Sequence, residues 1–276
     1  MKILSNEYGN DILSNLIDSN SQFAVSRLGV IELECLYWTL SQRSTPQHLL
    51  HMLQNNAGLY GSNFYEDFFN EYCNAIQHCN IHAVWNDKNL MDKHINILEF
   101  LSANSTKFLH RSVEPFYFKN PWSAQLKNKR VLIISPFEQS IKSQYVNNRH
   151  NIWSNNVLPE FELLTYKSVQ SIGGNGPDNT WLESLNRMKA EISKIDFDIA
   201  LLGCGAYGVP LVSYIFNKLN KSAIYIGGAL QIMFGIKGKR WDDHETISKF
   251  YNDYWIRPSS DETPSAAITV EGACYW

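Results

Sequence analysis

Short apolar runs that end in a glycine or a small polar residue and lead into helical periods recur along this chain, and nothing else in it constrains the fold as much. QFAVSRL (22–28) precedes the buried-helix pattern GVIELECLYWTL, and VLIISPF (131–137) precedes EQSIKSQYVNN. DFDIALLG (196–203) passes through a glycine turn into VPLVSYIFNKL, and KSAIYIGG (221–228) leads into ALQIMF. FELLTYKSV (161–169) is a further strand, followed by the loop SIGGNGPDN. The next segment, WLESLNRMKAEISKI, repeats Leu182, Leu185, Met188 and Ile192 on one side of a helix. Near-continuous apolar runs suit strands covered on both faces, and alternation with helices gives parallel pairing through crossovers. The expected fold class is therefore α/β, with an open, mostly parallel Rossmann-like sheet flanked by helices. A single domain over residues 1–276 is expected, with a helical insertion at about 45–120, where the text turns to helical periods rich in His, Asn and aromatics.

Composition supports such a core: 44% of 276 residues are hydrophobic, enough to bury a large α/β interior. A net charge of -3 rules out a global basic field, so nucleic acid is not an expected partner. Five cysteines, an odd and scattered set, follow a start without a signal-peptide pattern, and a reducing cytoplasm is the expected compartment. No apolar run reaches the roughly 18 residues of a membrane-spanning helix. Cys73, His78, Cys79 and His82 fall close together, but their spacing matches no common zinc pattern; they read as core residues of the helix FYEDFFNEYCNAIQHC and its surroundings.

The turn LLGCGAYGVPL carries Gly203, Gly205 and Gly208 in the G-x-G-x-x-G spacing, after a strand and before a helix, where backbone N–H groups favour a phosphate. A dinucleotide site also needs an acid near the end of the next strand, and that stretch reads Ala223, Ile224, Tyr225, Ile226, Gly227, Gly228. A nicotinamide cofactor is thus disfavoured. The plain alternative is that these glycines serve a tight turn and close packing of helix on sheet. Similar small residues stand at other strand ends, Ser26-Arg27-Leu28-Gly29 and Ser135-Pro136-Phe137, and in an open α/β sheet these ends form the ligand crevice. Ser135, Pro136, Gly203, Gly205, Tyr207, Gly208, Gly227 and Gly228 are the expected nucleotide wall. Farther on, GIKGKRWDDH sets Lys237, Lys239 and Arg240 on a glycine-hinged loop suited to a diphosphate, against the plain alternative of a solvated basic turn. Trp241 beside them would stack on a base or sugar. Asp242, Asp243 and His244 offer a weaker signal for a base or metal ligand. The aromatic end Cys274-Tyr275-Trp276 either tucks into the fold or forms an acceptor or subunit surface.

With Arg27, Gly29 and Glu32 in AVSRLGVIELECL, the chain resembles the bacterial GT-D fold glycosyltransferases, including related uncharacterised proteins of polysaccharide gene clusters. Further matching segments are VLIISPFEQSIKSQY, FDIALLGCGAYGVPL, AIYIGGALQIMFGIKGKRW and the terminal EGACYW. They cover most of residues 22–276 and leave the region between about 45 and 120 weakly matched. The resemblance implies a hexosyltransferase-type enzyme that moves a sugar from a nucleotide diphosphate sugar to a glycan, lipid-linked glycan or glycoprotein in surface polysaccharide biosynthesis. A cytoplasmic location is expected as above, with peripheral association at the inner face of the membrane and homo-oligomerisation as further expectations.

Better-known members carry an acidic D-x-E pattern for the metal and the sugar nucleotide. The matching triplet here is Val30, Ile31, Glu32, so the glutamate agrees and Val30 replaces the aspartate. Glu34, two residues further round a helix, faces nearly the opposite way. Binding of Mn or Mg is thereby put in question, and Lys237, Lys239 and Arg240 are expected to neutralise the diphosphate instead. Glu32 is expected as general base or sugar-orienting carboxylate and Arg27 as its partner, with Gly29 at the donor. The plain alternative is that Glu32 complements a helix dipole. A rival for the whole chain is a non-catalytic nucleotide-binding scaffold or regulator of a biosynthetic complex.

Overall fold

The apolar runs form strands and the periodic segments between them form helices. A computed structural model describes residues 2–174, 176–265, 267–269 and 272–276. In chain order the main elements are α1 (Asn6–Asp18), β1 (Ala24–Ser26), α2 (Val30–Leu40), α3 (Gln47–Asn55), α4 (Phe64–His78), β2 (Ile81–Val84), α5 (Lys88–Phe100) and β3 (Thr106–Leu109). They continue with β4 (Arg130–Ser135), α6 (Glu138–Ile152), β5 (Glu162–Lys167), α7 (Trp181–Ile192), β6 (Ile199–Leu202), α8 (Gly208–Leu219), β7 (Ser222–Tyr225) and α9 (Ala229–Met233). Among the described residues seven strands make one sheet in the order β3-β2-β1-β7-β6-β4-β5, and every pairing is parallel.

The region from about 45 to 120 departs from the expected helical insertion. It is largely helical through α3, α4 and α5, but it also supplies β2 and β3, which extend the same sheet outward from β1. These strands are four residues long and each carries a polar residue, so neither shows the apolar run that marks β4 or β6. Ser26, His82 and Lys107 lie in register across β1, β2 and β3, and all three are buried.

Helices α2, α3, α4, α5, α7 and α8 cover one face of the sheet, while α1, α6 and α9 cover the other. Val209, Leu211, Val212 and Ile215 of α8 are fully buried, each such side chain contributing about 1.5–3 kcal/mol. Helix α1 begins at Ser5, whose hydroxyl accepts the Tyr8 N–H, and it buries Leu13 and Ile17.

The connections leaving neighbouring strands part to opposite faces. β1 and β6 lead into α2 and α8 on one side, while β7 and β4 lead into α9 and α6 on the other. Backbones that diverge in this way leave a crevice at the carboxyl ends of the strands.

Candidate functional site

That crevice has two lobes. The first, about 710 Å³, lies between Ser135-Pro136-Phe137 after β4, Val169 to Ile172 after β5, and Gly203 to Gly205 after β6. The second, about 850 Å³, lies between Arg27 to Glu32 after β1, Trp85 after β2, and Arg240. Asn56, Ala57, Gly205, Tyr225, Gly227, Gly228 and Tyr275 line both, so the lobes are continuous through this shared wall.

Glu32 occupies the first turn of α2, whose N-cap is Gly29. A Cβ on Gly29 would stand 2.2 Å from Glu32 Oε2, so the carboxylate folds back over the cap through space that a side chain would fill. Glu32 is only 7% exposed. Burial raises its pKa, and a bond from its own backbone N–H offsets part of that rise. Tyr72 and Tyr225 stand close enough for the Glu32 charge to add to the effect of burial in raising their own pKa values. Their hydroxyls donate to the Ala206 and Gly205 carbonyls at 3.0 and 2.9 Å, tying the turn after β6 beside Glu32.

Arg27 does not pair with Glu32 as expected. Its Nη1 forms an ion pair with Glu114 Oε1 at 2.9 Å and donates to the Ile226 carbonyl at 2.7 Å. Its guanidinium lies over the Trp85 ring, 5.2 Å from the centroid. Glu34 is engaged away from the crevice in an ion pair with Lys93 of α5.

The three motif glycines divide their roles. Gly203 lines the first lobe, and a Cβ there would meet the Gly227 carbonyl at 2.7 Å, so its bareness lets the turns after β6 and β7 touch. Gly205 lines both lobes with φ of +56°, and a Cβ there would make ordinary contact with the Ala57 carbonyl at 3.9 Å. Gly208 is a correction: it lines neither lobe, and a Cβ there would stand 2.3 Å from the Tyr225 ring, so packing within the core accounts for it. Tyr207, buried along the first lobe, shares a hydrogen bond with Ser171 Oγ and stacks on Trp181. Ser135 Oγ accepts the Phe137 N–H at 3.2 Å and shapes the turn that carries Pro136. Gly227, at φ of +71°, and Gly228 fall in the shared wall.

The basic loop is divided too. Arg240 lines the second lobe, and its Nη1 donates to the Tyr275 hydroxyl at 3.0 Å. Lys237 and Lys239 line neither lobe: the first lies over the Tyr251 ring and the second donates to the Gly272 carbonyl. Backbone bonds from Lys237, Lys239 and Arg240 to Ile256, Trp276 and Cys274 stitch the segment to the following chain. Trp241 is buried edge-to-face against Tyr275 and lines neither lobe. Asp242 pairs with Arg257, and His244 Nδ1 accepts the N–H groups of Thr246 and Ile247, while Asp243 is exposed. These groups shape a turn.

A divalent metal does not fit this donor set. Glu32 is the single acid among the described lining residues, and the apolar Val30 stands at the D-x-E position, 42% exposed. Nowhere among the described residues do three His, Cys, Asp or Glu side chains gather to hold an ion. Of the cysteine and histidine set, Cys79 and His82 are buried, the latter bonded to Ser26.

Sequence reasoning missed Trp85, Tyr225 and Asn56 as lining residues, and Glu114 as the partner of Arg27. Trp85 and Glu114 follow strands too short to mark. The aromatic end tucks into the fold: Tyr275 and Trp276 line the crevice, and Trp276 Nε1 donates to the Glu262 carbonyl. Glu271 of the EGACYW segment lies outside the described residues. Among the described residues no helix is long and apolar enough to cross a membrane.

The family model of the GT-D fold-like domain matches residues 80–233, more than half of the chain. A solved structure described as a selenomethionine-substituted domain of unknown function 1792 superposes with a TM-score of 0.47. It is 13% identical, over 95% of this chain and 92% of that one. No curated protein matches.

Proposed function

The chain belongs to the GT-D fold-like domain family, and from that premise we propose that it moves a sugar from a nucleotide diphosphate sugar to a glycan or glycoconjugate acceptor in surface polysaccharide assembly. One observation carries the reading: Arg27 and Glu32 after β1, Gly205 after β6 and Arg240, from three separate parts of the chain, line one lobe that continues into another.

The first lobe, walled by Phe137, Ser171 and Tyr207, takes the nucleoside. The neck joins the bare Gly205, Gly227 and Gly228 to the side chains of Asn56, Tyr225 and Tyr275, and along its glycines backbone can approach the diphosphate closely. The second lobe holds the sugar against Glu32. Arg27 and Arg240 supply N–H donors to the charge that develops on the departing diphosphate. Glu32 receives the proton of the attacking hydroxyl, a task suited to a carboxylate whose pKa burial raises.

Calorimetry with UDP, GDP, CDP and dTDP, followed by transfer assays with the sugar nucleotides of the base that binds, tests the reading. The expected result is selective binding with turnover; absence of binding by all four refutes it. Val30 at the aspartate position favours one second reading, a nucleotide-binding scaffold or regulator without catalysis. Tight binding without turnover in the presence of candidate acceptors supports that reading instead.

A further inference from the structure

Four neighbouring strand ends converge on one side chain. Arg27 follows β1, Ile226 follows β7, Trp85 follows β2, and Glu114 lies in the turns that follow β3. Arg27 Nη1 donates to the Ile226 carbonyl and stands 2.9 Å from Glu114 Oε1 in an ion pair, so both groups hold the same edge of the guanidinium. Trp85 supports the guanidinium and is itself held twice, by its Nε1 donating to the Leu28 carbonyl at 2.8 Å and by the His110 ring at 4.6 Å. Burial, reinforced by the charges of Arg27 and Arg111, holds the His110 pKa down at about 3, so it is neutral and adds no second cation beside Arg27.

We infer that Glu114 is a positioning residue for donor binding, fixing the Arg27 guanidinium so that its remaining N–H groups meet the donor diphosphate. The inference rests on the donor reading above. The Arg27 and Glu114 side chains are 14% and 9% exposed, so salt and water screen the pair little. Burying two charges is costly, and such a pair is weak evidence for stability alone. Orientation is what it offers here. A guanidinium has five N–H donors in a rigid fork, and its Nη1 edge is held by the bond to Ile226 and the ion pair with Glu114. Locking that edge sets the direction of the other donors, on a residue that lines the second lobe.

The test is calorimetry of nucleoside diphosphates on wild type, R27A, E114A, E114Q and R27A/E114A. Orientation predicts that E114A weakens binding about tenfold, although it removes a negative charge from an anion site. It also predicts that E114Q, which keeps an acceptor oxygen, stays within about threefold of wild type, and that E114A adds no loss in the R27A background. Should E114A fail to fold, E114Q and the double variant, in which no arginine is left unpaired, carry the comparison. Unchanged or tighter binding by E114A, a loss by E114Q beyond threefold, or an undiminished further loss by the double variant relative to R27A overturns the inference. A wild type that binds none of the nucleotides instead removes the donor reading beneath it.

Discussion

Glu32 offers the sharpest contrast between a structural and a chemical role. An acid in the first turn of a helix ordinarily stabilises it through the dipole. Here burial outweighs that benefit and raises the folded-state pKa above the usual 4.5. The protonated form is therefore favoured by folding. The contribution is fully present below the unfolded pKa and disappears as pH rises through the folded one. E32Q is accordingly expected to unfold at higher urea than wild type at pH 7.5, with a smaller difference at pH 5. Turnover should fall by about 100-fold or more, the usual loss for a general base, while nucleotide binding persists. An E32Q protein less stable at both pH values would mark the carboxylate as a helix cap only. Glu32 was legible because it stands in a local pattern. Its distance from Arg27 as an ion-pair partner was not, because adjacency along the chain says nothing of which way two side chains turn at a strand end.

At the scale of elements, the turn after β6 shows how one motif serves several needs. Gly208 faces Tyr225, and G208A would force a methyl group to 2.3 Å from that ring. The expected cost is about 1–3 kcal/mol of stability, read as a lower melting temperature. An unchanged melting temperature would show that the ring moves aside freely. The basic loop divides in the same way. K237A/K239A is expected to leave donor KM within about twofold, since surface cations remote from an anion contribute little. R240A, which removes a residue of the lobe wall, is expected to raise KM about tenfold. Equal effects from both variants would mean that the loop acts as one cationic patch. Three adjacent basic residues are plain in a sequence, but which of them faces the crevice depends on the backbone bonds that pin the loop to residues 256, 274 and 276.

Across the whole molecule, the chain supplies its own anion at one helix end. Glu262 accepts the Gln139 N–H at 2.7 Å and the Ser140 hydroxyl, so its carboxylate occupies the N-terminus of α6 beside the turn after β4. The Glu262 carbonyl meanwhile accepts the Trp276 indole N–H, which anchors the aromatic end along the first lobe. E262A is expected to cost about 1–2 kcal/mol, as loss of a helix cap does, and to weaken nucleotide binding through the slackened Tyr275 and Trp276 wall. Urea melts and calorimetry check both parts, and intact nucleotide affinity in a destabilised variant would show that the wall stands without this anchor.

Strand, turn and helix were readable for most of the chain because hydrophobic period and small residues act over a few neighbours. On that basis the parallel α/β class, the strand-end crevice and Glu32, Gly205 and Arg240 as candidates followed from the residues in order. β2 and β3 stayed hidden, since His82 and Lys107 fall inside these four-residue strands and break the apolar run. With them went the places of Trp85 and Glu114. Tertiary structure alone decided which strand ends are neighbours, and so which residues meet Arg27. Parallel strands pair through long crossovers, and the energy that selects a partner comes from burying whole faces of sheet against helices, a quantity that no short stretch of sequence contains.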